Sequence, residues 1–198
     1  PLAAGSTKRL EGLRESARII GQFSSLALTT TESLAYVYEN TLISKQTRSS
    51  FGTHRTPSFL VDYVVGNLTD WVEEIPLNER SVFEPACGHA AFLVSAMRLL
   101  TELLPAEKAI PSRRGPYLRS RIHGTDIDPF ALELARLSLT LTDIPNPDGW
   151  DLTVQDMFLS DRLAAQAKKN TILLANPPFD KFTPKEQDQY RNQTFDVR

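Results

Sequence analysis

Apolar residues recur at helical spacing in two stretches of the first seventy residues, separated by the polar segment 44–54. The first stripe consists of Leu10, Leu13, Ala17, Ile20, Leu26, Leu34, Val37 and Leu42. Thr56 and Pro57 are typical of a helix N-cap followed by proline at the first helical position. The stripe after them predicts a buried helix face made of Leu60, Tyr63, Val64, Leu68 and Trp71. We predict a helical segment over residues 1–50 and a separate domain over residues 51–198.

From Ser81 the pattern changes to short apolar runs that alternate with helical stretches. It predicts strands over 81–83, 121–127, 151–154 and 171–176, and helices over about 90–104, 129–141 and 161–169. Strands and helices that alternate at this interval favour an α/β fold with a doubly wound parallel sheet and right-handed crossovers. The segment 105–121, which holds three prolines and several arginines, is predicted to be a solvated loop, and the alternative is a phosphate-contacting role for these arginines.

Composition limits the partners and the compartment that we expect for this protein. The 198 residues carry 22 Lys and Arg against 24 Asp and Glu, a net charge of −2, so affinity for nucleic acid must be local or supplied by another domain. No apolar run reaches the roughly 20 residues that span a bilayer, and no membrane partner is expected. Because the chain has one cysteine, Cys87, we expect the protein to reside in the reducing cytoplasm. Three histidines and this cysteine indicate no metal site. Because the chain begins with proline, we expect it to be part of a longer protein.

The segment Asn176-Pro177-Pro178-Phe179 follows the apolar run 171–175. Two prolines cannot continue a hydrogen-bonded strand, so they fix a stiff, extended exit from it. The amide oxygen and a proline carbonyl can accept hydrogen bonds from a planar amino group, and the aromatic ring can stack on it. A nucleobase amino group fits that chemistry. The alternative is a proline-rich turn that caps a buried strand.

Three acidic groups end the other predicted strands, and ligands of open parallel sheets lie beyond these strand ends. Glu84 begins the strand-to-helix turn that ends at Gly88, where glycine permits close approach of backbone to a ligand. Asp126 can bind both hydroxyls of a ribose, and Asp156 can accept from an adenine amino group beside Phe158. The alternatives are a helix cap for Asp126, a role that Asp128 fits better, and a turn residue for Asp156. Together these residues predict a pocket for an adenosine-bearing cofactor.

These motifs, in this order, resemble the gamma-class adenine-N6 DNA methyltransferases of restriction–modification and phage-defence systems. The similarity rests on Glu-Pro-Ala-Cys-Gly at 84–88, Gly-Thr-Asp-Ile-Asp-Pro at 124–129, Asp-Met-Phe at 156–158 and Asn-Pro-Pro-Phe at 176–179. The segment 51–57 resembles the cofactor-binding motif that precedes the others in this class. The resemblance extends from about residue 34 to residue 182.

The resemblance implies a site for S-adenosylmethionine on a Rossmann-like sheet preceded by a helical segment. In that site the methionine end, the ribose and the adenine ring are each held by different residues. The implied contacts are Thr56 and Pro57 at the methionine end, Glu84 on its amino group with Ala86 and Gly88 lining it, Asp126 on the ribose, Ile127 packed on the adenine, and Asp156 with Phe158 holding that ring.

The resemblance also implies transfer of a methyl group to the N6 amino group of a flipped-out adenine. Asn176 and Pro177 would hold that amino group, Phe179 would stack on the base, and Pro178 completes the catalytic motif. Double-stranded DNA is the implied partner, bound largely by parts outside this chain, with a specificity or nuclease domain or subunit attached. We expect the sheet to be incomplete here and the chain to be inactive alone.

The sequence departs from the family pattern after Gly88, where His89 and Ala90 replace a small hydroxyl residue and a second glycine. Two alternatives therefore stay open. Methyltransferases that act on glutamine amides of release factors or on guanine amines of ribosomal RNA also use Asn-Pro-Pro-aromatic. A non-catalytic module that binds the cofactor or a partner without methyl transfer is the second.

Overall fold

The computed structural model describes residues 56–158 and 162–177, together with positions 11, 12, 14, 15, 18, 33 and 184. All seven isolated positions are helical, but the rest of the predicted segment 1–50 and its boundary lie outside the described residues. The continuous part contains α1 Ser58–Gly66, α2 Thr69–Glu74, β1 Val82–Glu84, α3 Ala91–Glu102, α4 Ala106–Ala109, α5 Pro111–Arg119, β2 Ile122–Asp126, α6 Pro129–Thr142, β3 Asp151–Val154, α7 Arg162–Lys169 and β4 Ile172–Leu173. No helix among these described elements has the length and apolarity that a membrane crossing requires.

The four strands form one open sheet in the order β3-β2-β1-β4, and every neighbouring pair is parallel. This confirms the predicted α/β fold with a parallel sheet. β4 is shorter than predicted, since its ladder ends at Leu173 and residues 174–177 leave the strand. The chain crosses from the β3 edge to the other side of β1 before it enters β4. Such a reversal of strand order opens a crevice at the carboxyl ends of the central strands.

The core lies where α3 and α6 pack on the central strands. Strand β1 is buried along its whole length, as expected for a central parallel strand covered on both faces. Helix α3 contributes eight buried residues, because its leucines, alanines and Met97 leave few positions for solvent. The site at the strand ends is therefore built on a rigid base.

The predicted buried face of the second helical stretch, which forms α1 and α2, is wrong. Tyr63 and Trp71 are 69% and 46% exposed, whereas Val61, Val65 and Val72 are buried. Two apolar stripes run side by side here, and α1 packs on α3 through the valine stripe. The Asp62 carboxylate reinforces that contact by accepting a hydrogen bond of 2.8 Å from the Ser95 hydroxyl. Both stripes have helical spacing, so the spacing by itself could not decide between them.

The predicted solvated loop over 105–121 is also wrong, because this segment forms α4 and α5. Its arginines serve the fold. Arg114 pairs with the buried Asp143 carboxylate at 2.6 Å, and Arg119 donates to the Pro147 carbonyl. The Arg121 guanidinium lies 5.9 Å from the centre of the Tyr117 ring. The contacts of Arg114 and Arg119 attach α5 to the segment that follows α6.

Replacement of Gly124 by alanine is expected to lower the free energy of unfolding by about 1–3 kcal/mol. Gly124 lies in β2, and a Cβ there would meet Leu93 Cδ1 at 2.9 Å and Leu152 Cδ2 at 3.0 Å. Gly66→Ala is the matched control, because a Cβ there has no atom within 4 Å. Urea denaturation measures both variants, and equal stability of Gly124→Ala and wild type would contradict the packing argument.

Candidate active site

Four chain segments leave the sheet at its carboxyl edge, and each carries a polar group there. Glu84 ends β1 and Asp126 ends β2. Asp156 follows β3 by two residues, and Asn176 follows β4 by three. In a parallel sheet all these ends lie on one side. The fold thus brings together residues that are up to 92 positions apart in the sequence.

The turn between β1 and α3 is fixed to β2 by three hydrogen bonds. Cys87 N–H donates to the Thr125 carbonyl at 2.9 Å, and the Thr125 hydroxyl donates to the Pro85 carbonyl at 2.8 Å. Gly88 N–H donates to Asp126 Oδ2 at 2.7 Å. Gly88 adopts a φ of 52°, a conformation that glycine reaches at no steric cost. The turn is therefore held as a defined backbone surface beside the end of β2.

Ala90 also has a left-handed backbone, with φ 71° and ψ 33°, and its side chain is fully buried. Position 90 is one of the two at which the sequence departs from the family pattern. The left-handed conformation costs an L-residue with a Cβ about 1–2 kcal/mol, which explains why glycine suits this position. His89, the other departure, is half-buried in the turn.

Glu84 is buried, with a side-chain oxygen, Oε2, that has no hydrogen-bond partner among the described residues. Burial raises the pKa of the Glu84 carboxyl well above its ordinary value, and the nearby Asp126 carboxylate raises it further. The Leu93 N–H in the first turn of α3 opposes this shift in pKa. A buried carboxyl with an unused acceptor oxygen is suited to a cationic ligand, because a buried charge needs a partner.

Two neighbouring carboxylates, Asp126 and Asp128, have different surroundings. Burial raises the pKa of Asp126, although hydrogen bonds from the Asp128 and Gly88 N–H groups oppose the shift. Oδ2 accepts the bond from Gly88 and Oδ1 the bond from Asp128, and the Ile127 N–H also interacts with this carboxylate. Because a carboxylate has about four acceptor positions, acceptor capacity remains for a ligand. Asp128 instead caps α6 by accepting from the Phe130 N–H at 2.9 Å. The cap role that the sequence offered for Asp128 is confirmed.

The segment after β3 forms the rim of the site. Asp156 Oδ1 accepts a hydrogen bond of 2.8 Å from the Phe158 N–H, which closes a tight turn. Phe158 is half-buried, and Ile127, which follows Asp126 directly, is 50% exposed. Ala86 is half-buried in the turn after β1. These side chains supply apolar surface on the same edge as the acidic groups.

Asn176 is held by a contact that the sequence did not predict. Its side-chain Nδ2 donates to the Thr56 hydroxyl at 2.8 Å, across 120 residues of chain. The prediction that Thr56 caps a helix is wrong, because α1 begins at Ser58, with Pro57 before it, and no side chain caps it. The hydroxyl is used by Asn176 instead. Pro177 is exposed, and Pro178, Phe179 and the segment 51–55 lie outside the described residues.

Comparison with known proteins gives a family and a relative. The family model for "N-6 DNA Methylase" matches residues 29–198 of the chain. The Streptomyces coelicolor protein named adenine-specific methyltransferase PglX is 30% identical over 101 residues, which is 49% of this chain and 8% of that protein. The matched part thus corresponds to less than a tenth of the length of this curated relative.

Solved structures share the fold. The ATP-dependent Type ISP restriction-modification enzyme LlaBIII bound to DNA superimposes with a TM-score of 0.64 at 20% identity, covering 94% of this chain and 15% of that one. A modification subunit of a putative type I restriction enzyme from Vibrio vulnificus YJ016 gives a TM-score of 0.52 at 22% identity, covering 80% of this chain and 31% of that one.

Proposed function

The chain belongs to the N-6 DNA methylase family, and from that premise we propose that it forms the cofactor-binding and catalytic part of an adenine-specific DNA methyltransferase. The observation that carries the proposal is the arrangement of Glu84, Asp126 and Asn176 at one edge of the parallel sheet. The similarity to a protein named as an adenine-specific methyltransferase supports the choice of adenine.

The residues at this edge fit S-adenosylmethionine, which carries an ammonium group, a positively charged sulfur and a ribose. The buried Glu84 with its unused Oε2 suits the ammonium group, and the remaining acceptor capacity of the Asp126 carboxylate suits the ribose hydroxyls. The turn at Gly88 leaves backbone without a side chain beside them. The full proposed set is Thr56, Pro57, Glu84, Ala86 and Gly88 toward the methionine part, Asp126 on the ribose, and Ile127, Asp156 and Phe158 around the adenine.

The target base would be held by the segment after β4. The Asn176 side-chain oxygen and the Pro177 carbonyl would each accept an N–H bond of the adenine amino group, which localises the nitrogen lone pair and stabilises the positive charge that develops there. Phe179 would stack on the base, and Pro178 would keep the segment extended. When bound, S-adenosylmethionine supplies the electrophilic methyl group. The protein contributes position and electrostatics.

An adenine inside a duplex cannot reach such a site, so the base must be flipped out of the stack. We therefore propose double-stranded DNA as the partner, contacted largely by regions of the protein beyond this chain. This division is supported by Arg114 and Arg119 of α5, which are used in contacts within the fold. A specificity or nuclease domain or subunit would complete the enzyme, and residues 51–198 would form its methyltransferase domain.

A methyl-transfer assay tests the proposal. The complete protein is incubated with S-adenosylmethionine carrying a labelled methyl group and with unmethylated genomic DNA, and the DNA is digested to nucleosides. We expect the label in N6-methyladenine. Label in the protein fraction or in ribosomal RNA, with none in DNA, would contradict the proposal in favour of the glutamine or guanine alternatives.

Asp126→Ala is expected to weaken binding of S-adenosylmethionine by about 10–100-fold, the loss of one or two hydrogen bonds to a charged group. Asp128→Ala is the matched control two residues away. It removes the α6 cap, so it costs about 1 kcal/mol of stability but leaves the affinity unchanged. Calorimetric titration measures both affinities, and equal losses in the two variants would contradict the assigned roles.

A further inference from the structure

The hydrogen bond between Thr56 and Asn176 joins two parts of the chain that have different roles in the proposed enzyme. Asn176 Nδ2 lies 2.8 Å from Thr56 Oγ1, and both residues are half-buried. Thr56 precedes α1, at the start of the continuous described part, whereas Asn176 follows the last strand. The contact is a direct link from the region before α1 to the amide that would receive the target amine.

An asparagine amide has two ends of nearly equal size and opposite chemistry. Only its oxygen can accept the N–H bond of an amine, while its nitrogen is a donor. The torsion that exchanges the two ends is broad and nearly two-fold, so rotation costs little in the absence of a partner. A flipped Asn176 would turn its NH2 toward the N–H of the target and repel it. A hydrogen bond from one end of the amide to a neighbouring group restrains this torsion and thereby the position of the other end.

The backbone around Asn176 gives only limited help. β4 ends at Leu173, and the last ladder bond near it runs from Leu174 N–H to the Phe83 carbonyl at 3.1 Å. Pro177 has no N–H with which to bond a neighbour. Among the bonds between described residues, the one from the Asn176 side chain to Thr56 holds the chain after Leu174.

Thr56, in contrast, has a firm base. The Pro57 carbonyl accepts hydrogen bonds from the N–H groups of Leu60 and Val61, and Val61 is buried against α3. The Asp62 carboxylate is bonded to the Ser95 hydroxyl of α3 at 2.8 Å. Thr56 is therefore anchored, through α1, to α3, the helix that follows the turn at Gly88.

We propose that Thr56 is a positioning residue for Asn176: its hydroxyl, which accepts the hydrogen bond of the amide nitrogen here, restrains the side-chain torsion of Asn176 and so holds the opposite end of the amide, its oxygen, where the amino group of the substrate would bind. The inference rests on the proposed function. A positioning role of Thr56 would change the rate of turnover. A contact of Thr56 with the methionine end of the cofactor would instead change the affinity for the cofactor.

The experiment compares Thr56→Val with Thr56→Ser in the complete protein, by single-turnover methylation of DNA at saturating S-adenosylmethionine. Valine keeps the shape and removes the hydroxyl. We expect a rate about tenfold lower for Thr56→Val, the effect of one lost hydrogen bond, and a rate within about threefold of wild type for Thr56→Ser. Thr69→Val is the control for the same chemical change, since the Thr69 hydroxyl bonds the Gly66 carbonyl on the helical pair α1 and α2.

A double-mutant cycle with Asn176→Ala separates positioning from a general structural role. If Thr56 acts through Asn176, Thr56→Val has no further effect on the residual rate of Asn176→Ala. Overturning results are an unchanged rate in Thr56→Val, a serine variant as slow as the valine variant, or an undiminished effect in the Asn176→Ala background. A weaker cofactor affinity with an unchanged saturated rate would assign Thr56 to the cofactor alone. A wild-type protein that methylates no DNA would instead contradict the proposed function, and the inference with it.

Discussion

Asn176→Ala is expected to lower the turnover of DNA methylation by about 10²–10³-fold, the usual effect of removing one group that stabilises charge developing at the reacting atom. The substitution removes both the oxygen that would accept the N–H of adenine and the nitrogen that binds Thr56. Because Asn176 lies after β4, outside the core cluster, the variant is expected to fold normally and to bind S-adenosylmethionine within about threefold of wild type.

Asn170→Ala provides the control for this prediction. Asn170 lies between α7 and β4, where its amide nitrogen donates to the Gln166 carbonyl at 2.9 Å, away from the carboxyl edge of the sheet. Single-turnover rates with both variants, at saturating cofactor and DNA, make the comparison. An Asn176→Ala variant that keeps more than a tenth of the wild-type rate would exclude the amide from the catalytic role proposed here.

Glu84→Gln is expected to change stability and cofactor affinity in opposite directions. Burial and the neighbouring Asp126 raise the pKa of Glu84, so the folded protein holds this proton more tightly than the unfolded chain does. The resulting stabilisation is fully present below the ordinary pKa of 4.5 and is lost as the pH rises through the folded-state pKa. Glutamine cannot ionise, so the variant does not lose stability in this way as the pH rises. The variant should therefore be more stable than wild type by about 1–3 kcal/mol at pH 8, and the difference should shrink toward pH 5.

The same substitution is expected to weaken binding of S-adenosylmethionine by at least about 30-fold, because a buried charge that pairs with the ligand ammonium is lost. In the wild type a bound cation favours ionised Glu84, so binding releases a proton and the affinity rises with pH. That dependence should be absent from Glu84→Gln. A site that gives up stability for binding in this way is common in enzymes.

Thermal melts and calorimetric titrations at pH 6 and pH 8 measure both effects. Glu133→Gln is the control, since its carboxylate is 72% exposed in a loose pair with Arg136. Exposed pairs of this kind contribute little to stability. We therefore expect the stability and the cofactor affinity of Glu133→Gln to equal those of wild type at both pH values. If Glu84→Gln binds the cofactor as well as wild type does, the ammonium contact is wrong. If it is less stable at pH 8, the ionised carboxylate has a stabilising partner within the folded protein.

The alternation of strands and helices could be read from the sequence because each element carries its own signal. β3 is found at the predicted residues, and α6 begins at Pro129 after the Asp128 cap, as the Asp-Pro pair indicated. Parallel pairing then required that Glu84, Asp126 and Asn176 end up on one edge of the sheet, because that is a property of the topology. The family and the position of the candidate site were thus determined by local patterns and their order.

Tertiary structure decided what depends on a partner distant in sequence. Val61 and Tyr63 belong to two apolar stripes of one helix, and only contact with α3 selects which stripe is buried. The helices in 105–121 depend on contacts such as the pair of Arg114 with Asp143. The bond between Thr56 and Asn176 spans 120 residues, and neither local pattern contains any trace of it. Periodicity and capping act over a few residues, whereas packing and hydrogen bonding across the fold act wherever the chain returns to itself.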